Sequence, residues 1–397
     1  MKILITTPVF PPDLGGPAVY VPSIARWLVE RGHDVKVVAF CEDPKPAGYP
    51  FPVVSIPRVS LPLRYVKSFF AILREAKGRD LVYVQEHLAL LPVLAARLRR
   101  KPAVVRVMVD GTWEIAHRFG WTRDNIVDYQ RHGRGWKVRL ARALQRRWWA
   151  WASRIIPVSD FLKGIVLGYG TDPKKVVRIY NAYQGPKSVP YTKAQARDQL
   201  GLRADEKVLL TICRLMIWKG VDGILRALAR MPKDHRLVVC GDGEERESWQ
   251  RLARELGVEG RVTWTGNVSH DRVIAHIRAA DAFVLNSNYE GLSHTLLEVM
   301  FVGTPIVASA VCGNPELIED GVNGCTVPFN DVDKIHDALR RILDDPALAA
   351  RFVARSQERI AAFEREALFR EKEALFEKVV AEANGPSVAR APELATS

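Results

Sequence analysis

Short apolar runs alternate with amphipathic stretches along most of the chain. This alternation predicts β-strands that are each followed by a helix, which is the arrangement that produces parallel sheets. The predicted strands are KILITT, DVKVVAF, LVYVQ, AVVRVMV and RIIPVS in the first half, and KVLLTIC, RLVVCG, RVTWTG, AFVLNS and PIVAS in the second. Two such series predict an α/β protein with two doubly wound, Rossmann-like domains.

The boundary between these domains is expected in the segment 184–201, which is rich in Pro, Gly and polar residues. We therefore predict a first domain over 1–185 and a second over 186–364. A strongly helical stretch at about 365–383 follows, and we expect it to pack back on the first domain. Residues 384–397 have the composition of a flexible tail.

Composition narrows the class of protein. Of 397 residues, 48% are hydrophobic and 26% are charged, and the mean hydropathy is −0.07. No apolar run approaches the roughly 18–20 residues of a membrane-spanning helix, and the N-terminus has no secretion-signal pattern, so we expect a cytoplasmic protein. The five cysteines are widely spaced and form no C-x-x-C pair, which argues against a disulfide framework and a zinc site.

The positive charge is concentrated in the first half. The formal net charge is +13, but residues 1–185 contain 30 Lys and Arg against 14 Asp and Glu, whereas the remainder contains 28 against 31. Such an excess favours an anionic partner. Basic residues with interleaved aromatics also occur in nucleic-acid binders, but the site signals below make that interpretation weaker, and no nucleic acid is expected.

Two segments carry much of this charge, 61–79 and 131–154. The second has eight Lys and Arg, no acid and four Trp. Either their cations bind an anionic membrane surface, placing the protein peripherally on the inner face of the membrane, or their apolar faces pack on the sheet and the cations are solvated. In 131–154 we expect the face with Leu140 and Leu144 to pack, whereas Trp148, Trp149 and Trp151 are better candidates for lipid contact.

Ligands of open α/β sheets bind at the carboxyl ends of the strands, so the segments after each strand hold the candidate site residues. Gly15 and Gly16 open the first helix and could expose backbone N–H groups to an anion. Gly241 and Gly243 form only a fragment of a G-x-G-x-x-G pattern, so they indicate either close approach to a ligand or a tight turn.

Cations and carboxylates follow two strands of the second domain. Arg214 and Lys219 could clamp a diphosphate and stabilise charge on a leaving group. Glu290 precedes a helix that begins at about Ser293, and Glu298 falls early in that helix, so both carboxylates could point into one cleft. The one D-x-D pattern, at 331–333, starts a helix and is read as a cap.

The segment from Glu290 to Glu298 resembles the E-x7-E motif of retaining glycosyltransferases of family 4, which have the two-Rossmann-domain (GT-B) fold. The glycine pair at 15–16, R-L-x-x-x-K-G at 214–220, I-x-N-A at 179–182 and CGNPELIEDGVNGCTVP at 312–328 also match, in the family's order. The matches extend from about residue 1 to residue 345.

The resemblance implies transfer of a hexose from a nucleotide diphosphate sugar, either a UDP-sugar or a GDP-sugar, to an acceptor hydroxyl. The two domains would face a central cleft, with the acceptor bound by the first domain and the donor by the second. It implies that Glu298 binds the ribose and that Glu290 contacts the sugar. Arg214 and Lys219 would neutralise the diphosphate, so neither a metal nor another cofactor is expected. The remaining implied donor contacts are backbone groups of Gly291, Leu292 and Ser293, with Gly16 approaching the phosphate from the opposite domain.

The acceptor side departs from the family pattern. Many members have a His directly after the fourth strand of the first domain, where this chain has Met108 or Val109, followed by Asp110. The chain resembles a branch with an Asp and a Trp-Glu pair, here Asp110, Trp113 and Glu114. Asp110 is therefore expected to orient the acceptor hydroxyl or assist its proton loss. Other acceptor-side candidates are Glu86, His87 and His117, each of which could equally be structural.

A glycan or glycolipid precursor, lipid-linked or otherwise part of the cell envelope, is the expected acceptor, because it would explain the basic first half. Three alternatives remain open from the sequence. They are a soluble transferase with a small-molecule acceptor, a sugar-nucleotide epimerase of the same fold, and a non-catalytic basic protein that binds membrane or nucleic acid.

Overall fold

A computed structural model of the chain describes residues 1–13, 15–57, 59–85 and 89–385. Each half contains one six-stranded sheet in which all paired strands are parallel. The prediction of two doubly wound α/β units is therefore confirmed. The predicted tail falls largely on 386–397, which lie outside the described residues.

The first sheet has the strand order β3-β2-β1-β4-β5-β6. Its strands are β1 (Lys2–Thr7), β2 (Asp34–Phe40), β3 (Val53–Ile56), β4 (Leu81–Val84), β5 (Ala103–Val107) and β6 (Arg154–Pro157). The helices of this half are α1 (Gly16–Glu30), α2 (Leu61–Glu75), α3 (Leu90–Leu98), α4 (Gly111–Arg118), α5 (Ile126–His132), α6 (Trp136–Trp151) and α7 (Asp160–Gly168). β4 and β5 are buried along their whole length, as expected for central strands covered on both faces.

The second sheet has the order β12-β11-β10-β7-β8-β9. Its strands are β7 (Lys207–Ile212), β8 (His235–Cys240), β9 (Val262–Gly266), β10 (Ala282–Leu285), β11 (Ile306–Ser309) and β12 (Cys325–Val327). The remaining helices are α8 (Lys193–Gln199), α9 (Val221–Ala229), α10 (Arg246–Glu255), α11 (His270–Ala279), α12 (His294–Val302), α13 (Asn314–Leu317), α14 (Val332–Asp344), α15 (Pro346–Arg359) and α16 (Arg365–Asn384). Short 3-10 turns lie at Pro173–Lys175, Ile217–Lys219, Glu259–Arg261 and Ile360–Phe363.

Part of the segment expected to be a linker is ordered as α8. Thr192 and Gln195 form a capping box, in which each side chain accepts a hydrogen bond from the other residue's backbone N–H. The helix is held to the second half by Lys193 and Arg197, which both form salt bridges with Asp281. The interpretation of the whole of 184–201 as a linker is therefore wrong, because polar capping and charge pairing fix its second part.

The C-terminal helix α16 packs against α1 of the first half. The indole N–H of Trp27 donates a hydrogen bond to Glu366 at 2.7 Å. The carboxylate of Glu373 accepts a hydrogen bond from Arg31 Nε at 2.7 Å and lies 2.7 Å from His33 Nε2. The ring of Phe369 lies edge-on to those of Trp27 and Tyr20. These contacts bring the end of the chain back to its beginning.

One lysine of α16, Lys372, is buried, and no carboxylate among the described residues forms a salt bridge with it. Lys372 is 0% exposed, and its Nζ donates to the backbone oxygens of Tyr180 and Leu368, both at 3.3 Å. Burial lowers its pKa well below the usual value, and the nearby Arg106 guanidinium lowers it further. The native state therefore binds this proton more weakly than the unfolded chain does.

We expect Lys372→Met to raise the melting temperature at pH 7, and the gain to shrink towards pH 10. A lysine with a depressed native pKa makes the wild type more stable as pH rises, and methionine removes that dependence along with the buried amine. Each kcal/mol gained should appear as roughly 2–4 °C in thermal unfolding followed across this pH range. Lys378→Met is the matched control, because Lys378 lies exposed on the same helix. A pH-independent difference would contradict the assignment.

The tryptophan-rich helix α6 has the opposite orientation to the one expected. Trp148 and Trp149 are 3% and 2% exposed, and the ring of Trp149 packs edge-on against Tyr169 at 5.0 Å. Leu140 and Leu144 are exposed instead. Of the two alternatives left open for the Trp cluster, packing on the protein's own core holds for Trp148 and Trp149, because the large rings contribute more buried area to the core than the leucines would.

Candidate active site

The 3-10 turn after β7 carries a lysine that is paired with a carboxylate from another loop. Lys219 Nζ lies 2.6 Å from Glu290 Oε1, and their side chains are 17% and 14% exposed. Desolvation lowers the pKa of Lys219, but the Glu290 carboxylate outweighs it, so the pKa lies above the usual value. Lys219 is therefore a permanent cation at the carboxyl edge of the second sheet.

Arg214 lies near this pair in sequence, between β7 and the 3-10 turn, and has a different environment. Its side chain is exposed and forms no hydrogen bond or salt bridge with any residue that the structure describes. The two predicted cations thus differ, since Lys219 is fixed by Glu290 whereas Arg214 can turn towards an incoming anion.

The loop from Glu290 to Ser293 passes very close to the first half of the chain. A Cβ added to Gly291 would lie 2.2 Å from the carbonyl oxygen of Met108, so only glycine fits here. The hydroxyl of Tyr289 donates to that same oxygen at 2.9 Å. At the end of the loop, the Ser293 hydroxyl caps α12 by accepting the N–H of Leu296. Contact between the halves therefore sets the position of this loop.

Glu298 has a partner of its own. Its Oε1 lies 2.9 Å from His270 Nε2, at the start of α11, and its side chain is 18% exposed. The hydrogen bond to Glu298 raises the pKa of His270 above its usual value. The structure thus pairs both carboxylates of the E-x7-E segment with cationic or titratable side chains, Lys219 for Glu290 and His270 for Glu298.

The glycine pair of the first half faces the start of α12. Gly15 caps α1, and a Cβ on Gly16 would lie 3.9 Å from Cδ2 of His294, the first residue of α12. Burial, together with the nearby cations Arg106 and Lys372, lowers the pKa of His294 to about 4. The imidazole is therefore neutral near pH 7. Gly16 of the first half and the beginning of α12 in the second half therefore lie close to each other.

Gly241 and Gly243 each pack against a nearby backbone segment that leaves no room for a side chain. A Cβ on Gly241 would lie 2.0 Å from the carbonyl oxygen of Cys213, and Gly243 has the same relation to Leu215 at 2.4 Å. Close packing against the backbone of Cys213 and Leu215 accounts for both glycines, and it is neither the ligand approach nor the tight turn considered from the sequence. They give no evidence of a ligand by themselves.

Asp110 does not reach the cleft. It is 0% exposed and caps α4, and Oδ1 accepts from Thr112 N, Thr112 Oγ1 and Gln145 Nε2 at 2.7–3.0 Å. Oδ2 accepts from Tyr169 OH at 2.9 Å and from Gln130 Nε2. The expectation that Asp110 contacts an acceptor hydroxyl is wrong, because five donors already occupy both oxygens.

The other acceptor-side candidates lie in different places. Trp113 and His117 line a cavity of about 870 Å³ between the two halves, together with Trp218 and Tyr289 of the second half. The rings of Trp113 and Tyr289 are 5.0 Å apart. Glu114 is exposed on α4 and does not line the cavity. Glu86 and His87 lie outside the described residues.

A buried arginine that the sequence analysis did not select links the halves. Arg106 is 1% exposed in β5, and it donates to Gln85 Oε1 at 2.9 Å and to Asn181 Oδ1. The amide of Asn181 donates in turn to the carbonyl oxygen of Leu292 at 3.1 Å. Asn181 lies in the I-x-N-A stretch, and a charged residue within the apolar run VVRVMV was the signal for Arg106.

The two aspartates of the D-x-D pattern, Asp331 and Asp333, bind different partners. Asp331 caps α14 by accepting the N–H of Lys334 at 3.0 Å, which confirms the cap prediction. Asp333 forms a salt bridge with Arg230. Both carboxylates at the start of α14 are therefore occupied by structural contacts, a helix cap for Asp331 and a salt bridge for Asp333.

Two family models match most of the chain. "Glycosyl transferase 4-like domain" matches residues 15–182, and "Glycosyl transferases group 1" matches residues 192–359. An uncharacterized glycosyltransferase of Methanocaldococcus jannaschii is 27% identical over 368 residues, covering 87% of this chain and 90% of that protein. The lipopolysaccharide core biosynthesis glycosyltransferase LpsE of Rhizobium meliloti is 33% identical, covering 49% of this chain and about half, 56%, of that protein.

Solved structures share the fold over nearly the whole length. Sucrose-phosphate synthase from Thermosynechococcus elongatus superposes with a TM-score of 0.81 at 22% identity, covering 96% of this chain and 99% of that one. HepE of Anabaena, solved in complex with UDP-glucose, gives 0.77 at 22% identity, covering 95% and 100%. Among the helices that the structure describes, none is long and apolar enough to cross a bilayer.

Proposed function

Because this chain belongs to the group 1 glycosyltransferases with the GT-B fold, we propose that it transfers a hexose from a nucleotide diphosphate sugar to an acceptor hydroxyl with retention at the anomeric carbon. UDP-hexose is the proposed donor. The related fold of HepE was solved with UDP-glucose bound, and this supports UDP over GDP.

The observation that carries this proposal is the ion pair of Lys219 and Glu290. A departing nucleoside diphosphate develops negative charge, and a cation fixed beforehand stabilises that charge without reorganisation. Lys219 has this property because Glu290 holds it in place at 2.6 Å. The exposed Arg214 supplies a second cation that can follow the diphosphate. In this proposal the two cations do the work that a metal ion performs in other transferases.

The proposed reaction breaks the bond between the anomeric carbon and the phosphate oxygen. The acceptor oxygen forms its new bond to the same carbon on the same face, and the acceptor proton passes to the departing phosphate oxygen. Glu290 accepts a hydrogen bond from a sugar hydroxyl and orients the ring. Glu298 accepts the ribose hydroxyls, displacing His270 from its carboxylate.

The acceptor is proposed to lie in the cavity between the halves. Aromatic rings from both sides line it, Trp113 and His117 from α4 and Trp218 and Tyr289 from the second half. Flat apolar rings with polar neighbours suit the faces and hydroxyls of a sugar. Tyr289 directly precedes Glu290, so a glycan on these rings would lie beside the proposed donor sugar. A glycolipid precursor at an anionic membrane surface also fits the charge of the first half.

Binding of UDP tests the donor assignment. We expect Glu298→Ala to weaken UDP binding by about 10–100-fold, because hydrogen bonds to a carboxylate of this kind contribute roughly 1.5–3 kcal/mol. Isothermal titration with UDP, GDP and ADP measures this, and release of nucleoside diphosphate from UDP-glucose, with the anomeric configuration of the product read by NMR, tests transfer and retention.

Glu247→Ala is the matched control, because Glu247 is an exposed carboxylate on a helix of the same half. It should leave UDP affinity unchanged. Unchanged affinity in Glu298→Ala as well, or an inverted product, would refute the assignment. Interconversion of the free nucleotide sugar without release of diphosphate would identify an epimerase.

A further inference from the structure

Two helices of the first half expose apolar stripes to solvent. On α2 the stripe consists of Leu63, Val66 and Phe70, which are 45%, 49% and 62% exposed. On α6 it consists of Trp136, Leu140 and Leu144, which are 69%, 53% and 40% exposed. Spacings of three and four residues place each set on one face of its helix. Two such stripes on neighbouring elements are more than scattered surface apolar residues.

A cavity of about 520 Å³ opens beside these stripes and is walled by α2, α3, α4 and α6. Its walls include Leu90, Leu91, Ile115, Trp121, Leu140 and Trp148. Lys137 is the one charged residue among the described residues that line it, and its Nζ lies 5.6 Å from the ring centre of Trp121. Its volume is within the range of small-ligand pockets, and its apolar walls suit a hydrocarbon.

Helix α6, which forms one wall of the cavity, carries cations that have no carboxylate partner, and one of them, Lys137, lines the cavity. In the described part of the chain, none of the α6 cations forms a salt bridge; they are Lys137, Arg139, Arg142, Arg146 and Arg147. An apolar cavity with Lys137 in its wall matches a ligand that is apolar at one end and anionic at the other. An anionic lipid has this chemistry.

Helix α4 separates this apolar cavity from the cavity between the halves. Thr112 and Ile115 line the apolar side, whereas Trp113 and His117 line the side next to Tyr289 and Trp218. One lipid could therefore have its chain on one side of α4 and its glycan on the other.

We propose that the cavity between α2, α4 and α6 takes a hydrocarbon chain of the lipid-linked acceptor, drawn from an anionic bilayer. This inference rests on the proposed function, since it names the acceptor class of that transferase. The apolar stripes lie in the surface of the bilayer, and Lys137 at the cavity wall binds the lipid's phosphate. The chain enters the cavity and thereby places the head group at the glycan side of α4.

Filling the cavity tests the proposal. Ala141 lines the cavity, and Ala143 is exposed on the same helix outside it, so Ala141→Phe and Ala143→Phe form a matched pair. The probe is dodecyl phosphate, with inorganic phosphate as the chain-free comparison, and binding is followed by isothermal titration. We expect saturable binding of dodecyl phosphate to wild type and to Ala143→Phe, about tenfold or more weaker binding to Ala141→Phe, and much weaker binding of inorganic phosphate to all three.

Vesicles of phosphatidylglycerol with brominated chains test entry from a bilayer. Bromine quenches tryptophan on contact, and Trp121 and Trp148 line the cavity. In a Trp136→Phe background, which removes the exposed ring, we expect quenching that Ala141→Phe abolishes. Quenching that survives in Ala141→Phe would overturn the proposal in favour of surface contact only, and absence of vesicle binding would also overturn it.

A second cavity variant and a UDP titration separate loss of the chain site from loss of folding and from loss of the donor site. If Ala141→Phe lowers the melting temperature, Leu144→Gln replaces it, because that side chain lines the cavity and is 40% exposed. UDP titration of each variant should equal wild type. Loss of UDP binding in the wild type would refute the proposed donor instead, so the two failures are distinguishable. Equal dodecyl phosphate affinity in wild type and both cavity variants refutes the chain site.

Discussion

Replacing Lys219 by methionine is expected to lower the rate of sugar transfer by about 10²–10³-fold, the effect of removing one preorganised group that stabilises transition-state charge. Methionine keeps the length of the side chain but cannot stabilise a departing diphosphate. The rate of nucleoside diphosphate release at saturating donor measures the effect. Lys207→Met is the control, because Lys207 is an exposed lysine at the other end of β7 and should leave the rate unchanged.

A second variant separates chemistry from folding. Lys219→Met leaves Glu290 half-buried and unpaired, so part of the change could come from lost stability. The double variant Lys219→Met/Glu290→Gln removes both charges. We expect it to recover melting temperature but not the rate. A double variant that recovered the rate would show that Lys219 is needed only to neutralise the buried Glu290 carboxylate, and would refute its assigned role in stabilising the diphosphate.

Asp110→Asn is expected to destabilise the protein by roughly 2–4 kcal/mol, measured as the shift in urea or thermal unfolding. Both carboxylate oxygens accept from donors that are themselves buried, among them Thr112 and Gln145. An amide turns one of these acceptors into a donor. Burial, and then the Asp110 charge, raise the pKa of Tyr169, so its hydroxyl stays protonated and also loses its acceptor.

The same variant decides between a structural and a chemical role for Asp110. Once corrected for the folded fraction, kcat/KM should change little, because no part of the carboxylate is exposed. Asp124→Asn is the control. Asp124 lies in the same half of the chain, and its carboxylate has no hydrogen-bond partner among the described residues. A large loss of kcat with an unchanged melting temperature would restore the catalytic interpretation.

The strands that the sequence analysis missed are both at sheet edges. β3 (VVSI) and β12 (CTV) have four and three residues, and they pair on one side only. The ten predicted strands were longer apolar runs. Burial on both faces demands a continuous apolar run, whereas a short edge strand needs only a neighbour to pair with. That neighbour is a separate strand of the chain, so the local pattern of apolar residues gives little indication that an edge strand forms.

Asp110 and the Trp cluster of α6 show where reasoning from residue type fails. Asp110 follows a strand at the cleft edge, which is where functional carboxylates occur. Its role depends on Gln130, Gln145 and Tyr169, which lie 20 to 59 residues later in the chain. Similarly, α6 has apolar residues on more than one face, and only the packing of Trp149 on Tyr169 decides which face is inside.

By itself the sequence determined the two doubly wound sheets and the family, because strand periodicity and the motifs at strand ends are local features of the chain. It also selected the positions of Lys219, Glu290 and Glu298. Only the tertiary structure decided how these side chains pair, which apolar helix faces are exposed, and that Arg106 and Asn181 connect the first half to the loop at Leu292. Those outcomes depend on contacts between residues distant in sequence, whose free energies are set by burial and hydrogen-bond partners that no local pattern specifies.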